Sequence, residues 1–149
     1  MIKVFAYCLI SGRAFSPTLA KQKTGLSFSE MHSVGDIGTL GKYKHKPFDF
    51  GFARLDDDLS TVDVTSFSKC ALVKDLLLHL DALRDCGAEQ IVLHYDVAYL
   101  DQCNIELHSE DLKILSSTGI DVTFTCYRIS SQDSATDAAA PHSERALSP

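Results

Sequence analysis

His94 and Asp96 stand two residues apart in Gln90–Tyr99, a stretch in which Ile91, Leu93, Tyr95 and Val97 alternate with Gln90, His94 and Asp96. Alternation of that kind reads as a β-strand and places both polar side chains on one face. Asn104 and Glu106 repeat the spacing within Cys103–Leu107, and a turn at residues 100–102 would return that run as a second, antiparallel strand. Hairpin pairing would then gather a histidine and carboxylates on one surface. Such a set is raw material for general acid–base work or a weak metal site. The plainer readings are a solvated sheet face, with polar cross-strand pairs contributing a few tenths of a kcal/mol each, or a surface that meets another protein. Both outweigh catalysis here.

Asp56-Asp57-Asp58, with Asp49 and Asp63 nearby, is a second candidate, because hard cations take clustered carboxylates. A calcium loop needs alternate ligands and a glycine at a fixed offset, whereas three adjacent aspartates point in different directions. An acidic, strand-ending turn is the better reading. Lys42-Tyr43-Lys44-His45-Lys46 is the one basic cluster and could grip phosphates or single-stranded nucleic acid by charge and stacking. The preceding Gly35–Lys42 run lacks the phosphate-loop spacing and the Ser or Thr after lysine, so a mobile surface loop is expected. The six histidines form no HxxxH or HxH pair, and no GxSxG nucleophile motif occurs. No catalytic residue, metal ligand or cofactor is assigned, and binding is placed on His94, Asp96, Asn104, Glu106, Asp56, Asp57 and Asp58.

The elements that must position these residues follow from periodicity. Ile2–Ile10 is almost wholly apolar with Lys3 its one charge, which reads as a buried central strand. Ser16-Pro17 predicts a short helix over 17–24, closed by Gly25. Residues 26–47 read as a long, partly irregular connection. Residues 48–55 alternate, with Phe48, Phe50 and Phe52 on one face and Asp49, Gly51 and Ala53 on the other. Val62–Val64 reads as a short strand or a linker. Val73, Leu76, Leu77, Leu80 and Leu83 form a continuous stripe, which predicts a helix over about 66–86 capped by Thr65 or Ser66. Ser109 should cap a further helix with Leu112 and Leu115 facing inward, and residues 120–129 should form the last strand. Hairpins mixed with helical crossovers point to an α+β fold: a mixed or mainly antiparallel sheet with helices packed on one face. Residues 1–129 read as a single domain. Residues 130–149 hold no apolar residue larger than alanine before Leu147 and are expected to be a disordered tail.

The order of these elements and their short motifs resembles a known family. Tyr7-Cys8-Leu9-Ile10-Ser11-Gly12, Phe15-Ser16-Pro17, Thr24-Gly25 and Gly35-Asp36 are similar to the N-terminal half of the bacterial domain of unknown function 4279. Cys103-Asn104-Ile105-Glu106-Leu107, Leu112, Leu115 and Gly119-Ile120-Asp121 are similar to its C-terminal half. Members often carry a tryptophan after the proline-containing helix; this chain has none, and Met31 or His32 occupies that region. The resemblance covers about residues 2–129. It implies a small cytosolic bacterial α+β domain without established chemistry, and some proteins of that kind resemble immunity partners of secreted toxins.

Composition narrows the classes further. The chain has 149 residues, 45% hydrophobic and 23% charged, enough to bury a core without a staple. No apolar run is long enough to span a bilayer and the start lacks signal-peptide architecture, so a cytoplasmic protein without a membrane partner is expected. Fourteen basic residues against twenty acidic ones give a net charge of −6, which argues against nucleic acid and is compatible with a basic protein partner, although most acidic domains are simply soluble. Five widely spaced cysteines suggest reduced thiols, four of them core fillers, with Cys103 the exception at a turn. The expected function is therefore protein–protein binding rather than catalysis, in its sharpest form the neutralising of a toxin. The alternative is a small-ligand binder or enzyme using His94, Asp96 and Glu106, with Tyr7 or Tyr127 nearby.

Overall fold

A computed structural model of the chain describes residues 2–57 and 70–130. The apolar N-terminal run forms strand β1 (Ile2–Gly12), which lies at the centre of a five-stranded sheet of order β2-β3-β1-β4-β5. β2 is Glu30–His32, β3 Gly51–Asp56, β4 Gln90–Tyr99 and β5 Asp121–Arg128. β1 pairs antiparallel with β3 and with β4, and β2 pairs antiparallel with β3. β4 and β5 are parallel, so the chain between them must cross over. It does so through helix α3 (Ser109–Thr118). Helices α1 (Pro17–Thr24) and α2 (Ala71–Asp85) complete the fold. The result is an α+β fold with a mixed sheet and helices packed against it.

The three helices of the described residues lie on the same face. Val4, Ala6, Cys8 and Ile10 of β1 point to that side and are buried, as are Ala53 and Leu55 of β3 and Ile91, Leu93, Tyr95 and Val97 of β4. They meet Leu72, Val73, Leu76, Leu80 and Leu83 of α2 and Leu115 of α3. Arg84 of α2 donates from Nη2 to the Thr118 carbonyl at 2.8 Å, tying α2 to the end of α3. The Ser16 hydroxyl accepts from the Leu19 backbone N–H at 3.3 Å and starts α1, with Pro17 in its first turn and Gly25 closing it. One corner requires bare backbone. A Cβ on Gly51 would lie 1.9 Å from the Phe15 carbonyl oxygen, so β3 passes the β1–α1 turn at glycine distance.

Four expectations from the sequence are corrected. β3 begins at Gly51 rather than at residue 48, and Ala53 and Leu55 are its side chains that face the helices. Phe48, Phe50 and Phe52 instead surround His32, with Phe48 stacked on its ring at 3.6 Å. Cys103–Leu107 is extended but joins no strand, because the place beside β4 is taken by β5 with eight paired positions. Leu112 is 49% exposed, while Asp111, Leu115 and Thr118 form the inner side of α3. Counting four and three residues along a helix aligns those last positions and turns Leu112 aside. Cys126, read as a core filler, is exposed on the edge strand.

Smaller differences concern boundaries. α2 begins at Ala71 with Cys70 as its N-cap residue, and Leu77 is 41% exposed, its place on the buried stripe taken by Leu72. His108, not Ser109, occupies the N-cap of α3. The expected caps at Thr65 and Ser66, the possible strand at 62–64 and the tail beyond Ser130 lie outside the described residues. The connection before β3 is more ordered than a mobile loop: it contains β2, and Gly38 N–H donates to the Lys46 carbonyl and His45 N–H to that of Gly38, each at 2.9 Å. Among the described residues, no helix is long and apolar enough to cross a membrane.

Candidate functional site

The face of the sheet opposite the helices is built by strand alternation. β1 presents Lys3, Phe5, Tyr7, Leu9 and Ser11 there, because their even-numbered neighbours turn into the core. β4 adds Val92, His94 and Asp96, while β3 adds Phe52, Arg54 and Asp56. The register sets them in rows across the sheet. Asp56, Tyr7, His94 and Thr123 form one row, and Arg54, Leu9, Val92 and Asp121 the next. Phe5, Asp96 and Thr125 form a third. At one corner the loop before β3 folds over, placing Tyr43 and Phe48 against His32 and Phe52.

Tyr7 is the hub. Its ring stacks on His94 with centroids 4.8 Å apart and planes 5° from parallel. The Arg54 guanidinium carbon sits 4.2 Å from the Tyr7 ring centroid, and Arg54 Nε meets Asp56 Oδ1 at 2.8 Å. A cation over an aromatic face and a charge-assisted hydrogen bond hold this arginine in place. Burial lowers the pKa of His94, with Asp96 opposing and Arg54 adding to the shift. Burial also raises the pKa of Tyr7, reinforced by Asp96 and Asp56. At neutral pH the pair is an uncharged imidazole on an uncharged phenol. A phenol made harder to ionise is suited to stacking and hydrogen bonding rather than proton transfer.

Of the residues singled out in the sequence, His94, Asp96, Asp56 and Tyr7 come together on this open face. Asp57 turns to the opposite side, where its charge acts on Tyr95 and Cys70, and its backbone N–H donates to Ala6 at 3.1 Å. Asp58 lies outside the described residues. Asn104 and Glu106 do not join His94. Cys103, Ile105 and Leu107 pack against the core on the helix side, which leaves Asn104 and Glu106 exposed there. Gln102 Nε2 donates to Asn104 Oδ1 at 3.0 Å, and Glu106 lies 3.9 Å from His108. Among the described residues, no group of three or more His, Cys, Asp or Glu side chains is arranged to hold a metal ion.

Arg54, Phe5 and Leu9 are members of this face that sequence reasoning missed. The signal for Arg54 was its place two residues before Asp56 within the alternation of β3. For Phe5 and Leu9 it was an apolar strand with more hydrophobic positions than one covered face requires. No family model, curated protein or solved structure matches the chain.

Proposed function

We propose that this chain is a protein-binding module whose contact surface is the open face of the sheet. The observation that carries the reading is apolar surface on a face that no described helix covers: Phe5 is 39% exposed, and Leu9 and Val92, on the far side of the Tyr7–His94 row, are half-buried. A strand apolar on both sides normally has both sides covered. Tyr7 and His94 lie between these apolar positions, with Arg54 over the Tyr7 ring, and aromatic residues and arginine are the types that anchor interfaces. Five strands about 4.8 Å apart and some seven residues long offer roughly 550 Å² of projected plane. With side-chain relief this approaches the ~800 Å² each partner gives to a standard interface.

Charge supports a basic partner. The face carries Glu30, Asp56, Asp96 and Asp121 against Lys3 and Arg54, and Arg54 is already engaged by Asp56. Acidic complementarity would speed encounter and set specificity more than it adds affinity. The resemblance to the domain of unknown function 4279 sharpens this reading into an immunity-type role, the neutralising of a basic toxin, in a cytoplasmic bacterial protein.

The test is capture from host lysate with the purified chain as bait, eluted with salt. One basic partner should be retained by the wild type and by a Leu78→Ser control on α2, and lost from Phe5→Lys and Asp96→Lys. A partner held equally by the two face variants would refute the reading. The second reading, a small-ligand site, rests on the Tyr7–His94 stack beside Asp96 and Arg54. It predicts that some metabolite raises the melting temperature of the wild type and not of His94→Ala.

A further inference from the structure

We propose that Cys103 and Cys126 are a modification site: a thiol pair that closes to a reversible disulfide on exposure to hydrogen peroxide. Their Sγ atoms lie 3.9 Å apart, with 22 residues and the whole of α3 between them in sequence. Neither sulfur is sealed in the core, whereas Cys8 and Cys86 are buried and Cys70 lies against the Tyr95 hydroxyl. Burial pushes the Cys8 thiol up to about 12, which removes it from thiolate chemistry at neutral pH.

The geometry allows closure at small cost. A disulfide holds its sulfurs about 2.05 Å apart, so the gap must shrink by roughly 1.9 Å. Cys126 is fixed on β5, which is hydrogen-bonded along β4. Cys103 belongs to the segment between β4 and α3, which joins no strand and supplies the movement. In the reaction one thiolate takes an oxygen from peroxide and releases hydroxide, giving a sulfenic acid. The second thiolate attacks that sulfur, forms the S–S bond and expels hydroxide. Overall, two thiols and one hydrogen peroxide yield one disulfide and two waters. Desolvation and the neighbouring Cys103 hold the Cys126 thiol above its ordinary value, so closure quickens as pH rises.

The bond would fasten the β4–α3 segment to the edge strand and brace the crossover. Its exposure leaves it open to dithiol reductants, as expected of a labile rather than a structural bridge. The experiment treats the reduced full-length chain with a few equivalents of hydrogen peroxide, then counts thiols after denaturation and maps the peptides. The expected result is the loss of two of the five thiols, a peptide joining Cys103 to Cys126, and a melting temperature raised by roughly 5 °C. A dithiol should reverse all three, while Cys103→Ser and Cys126→Ser abolish the link and Cys70→Ser keeps it. Oxygen added to either cysteine without a cross-link, a covalent dimer, or a bridge through Cys70 would overturn the proposal. The wild-type peptide map decides the matter even if a serine variant folds poorly.

Discussion

Replacing Phe5 with lysine separates a face held open for a partner from one that belongs to the core. A phenylalanine side chain has roughly 200 Å² to bury, and 39% of Phe5 is already wet, leaving about 120 Å² covered by its neighbours. At ~25 cal/mol per Å² that coverage contributes about 3 kcal/mol. The four methylenes of lysine retain most of it by lying along the same neighbours while the ammonium reaches water. The strand partner of Phe5 is Asp96, so the new charge faces a carboxylate and recovers about 0.2–1 kcal/mol. The net cost of Phe5→Lys is therefore about 0–1 kcal/mol, read as a small shift of the urea midpoint at unchanged slope. Ile10→Lys on the other side of the same strand, where the side chain is fully buried, should abolish folding. On the binding side, the ~80 Å² now exposed would contribute about 2 kcal/mol to a complex, so Phe5→Lys should weaken partner affinity about 30-fold. A stability loss above about 2 kcal/mol would refute the reasoning, since Phe5 would then be a core residue.

Acidification should destabilise the fold through two histidines. Burial lowers the pKa of both His32 and His94 from 6.5, so the unfolded chain takes up protons first as pH falls through that value. Stability then falls with pH until the folded-state values are passed; melting temperatures at pH 7.5 and 5.5 should differ less in His94→Phe than in the wild type, and an equal difference would remove His94 from this account. Gly51→Ala should cost more than about 3 kcal/mol, because its Cβ would lie 1.9 Å from the Phe15 carbonyl oxygen, which belongs to backbone and cannot swing aside. Denaturant unfolding measures it, and a cost below about 1 kcal/mol would mean that the corner is loose.

Local patterns were enough for most of the elements. Ser16-Pro17 and Gly25 bound α1 at 17–24 because capping chemistry acts within one turn, and strict alternation marked β4 at 90–99. His94 and Asp96 were legible as neighbours on one face for the same reason: both lie on a single strand, where the pleat alone fixes direction. Tyr7 was expected nearby as one of two tyrosines, but the arrangement around the pair was not legible. Tyr7, Arg54, Asp56 and Thr123 arrive from three other strands, and their meeting depends on register and strand order, which no local signal encodes. Cys103–Leu107 shows the limit most clearly. Its alternation separates Asn104 and Glu106 from Cys103, Ile105 and Leu107, which pack against the core, yet an extended segment packed on the core and a strand within the sheet share that pattern. Competition for the edge of β4 settled the matter: β5 offers eight paired positions against five, and it carries Asn104 and Glu106 away from His94. The sequence thus determined the elements and the direction of each side chain within them, because those depend on neighbours a few residues away. Only the tertiary structure decided which face stays open and which cysteines meet, because those depend on contacts between distant segments.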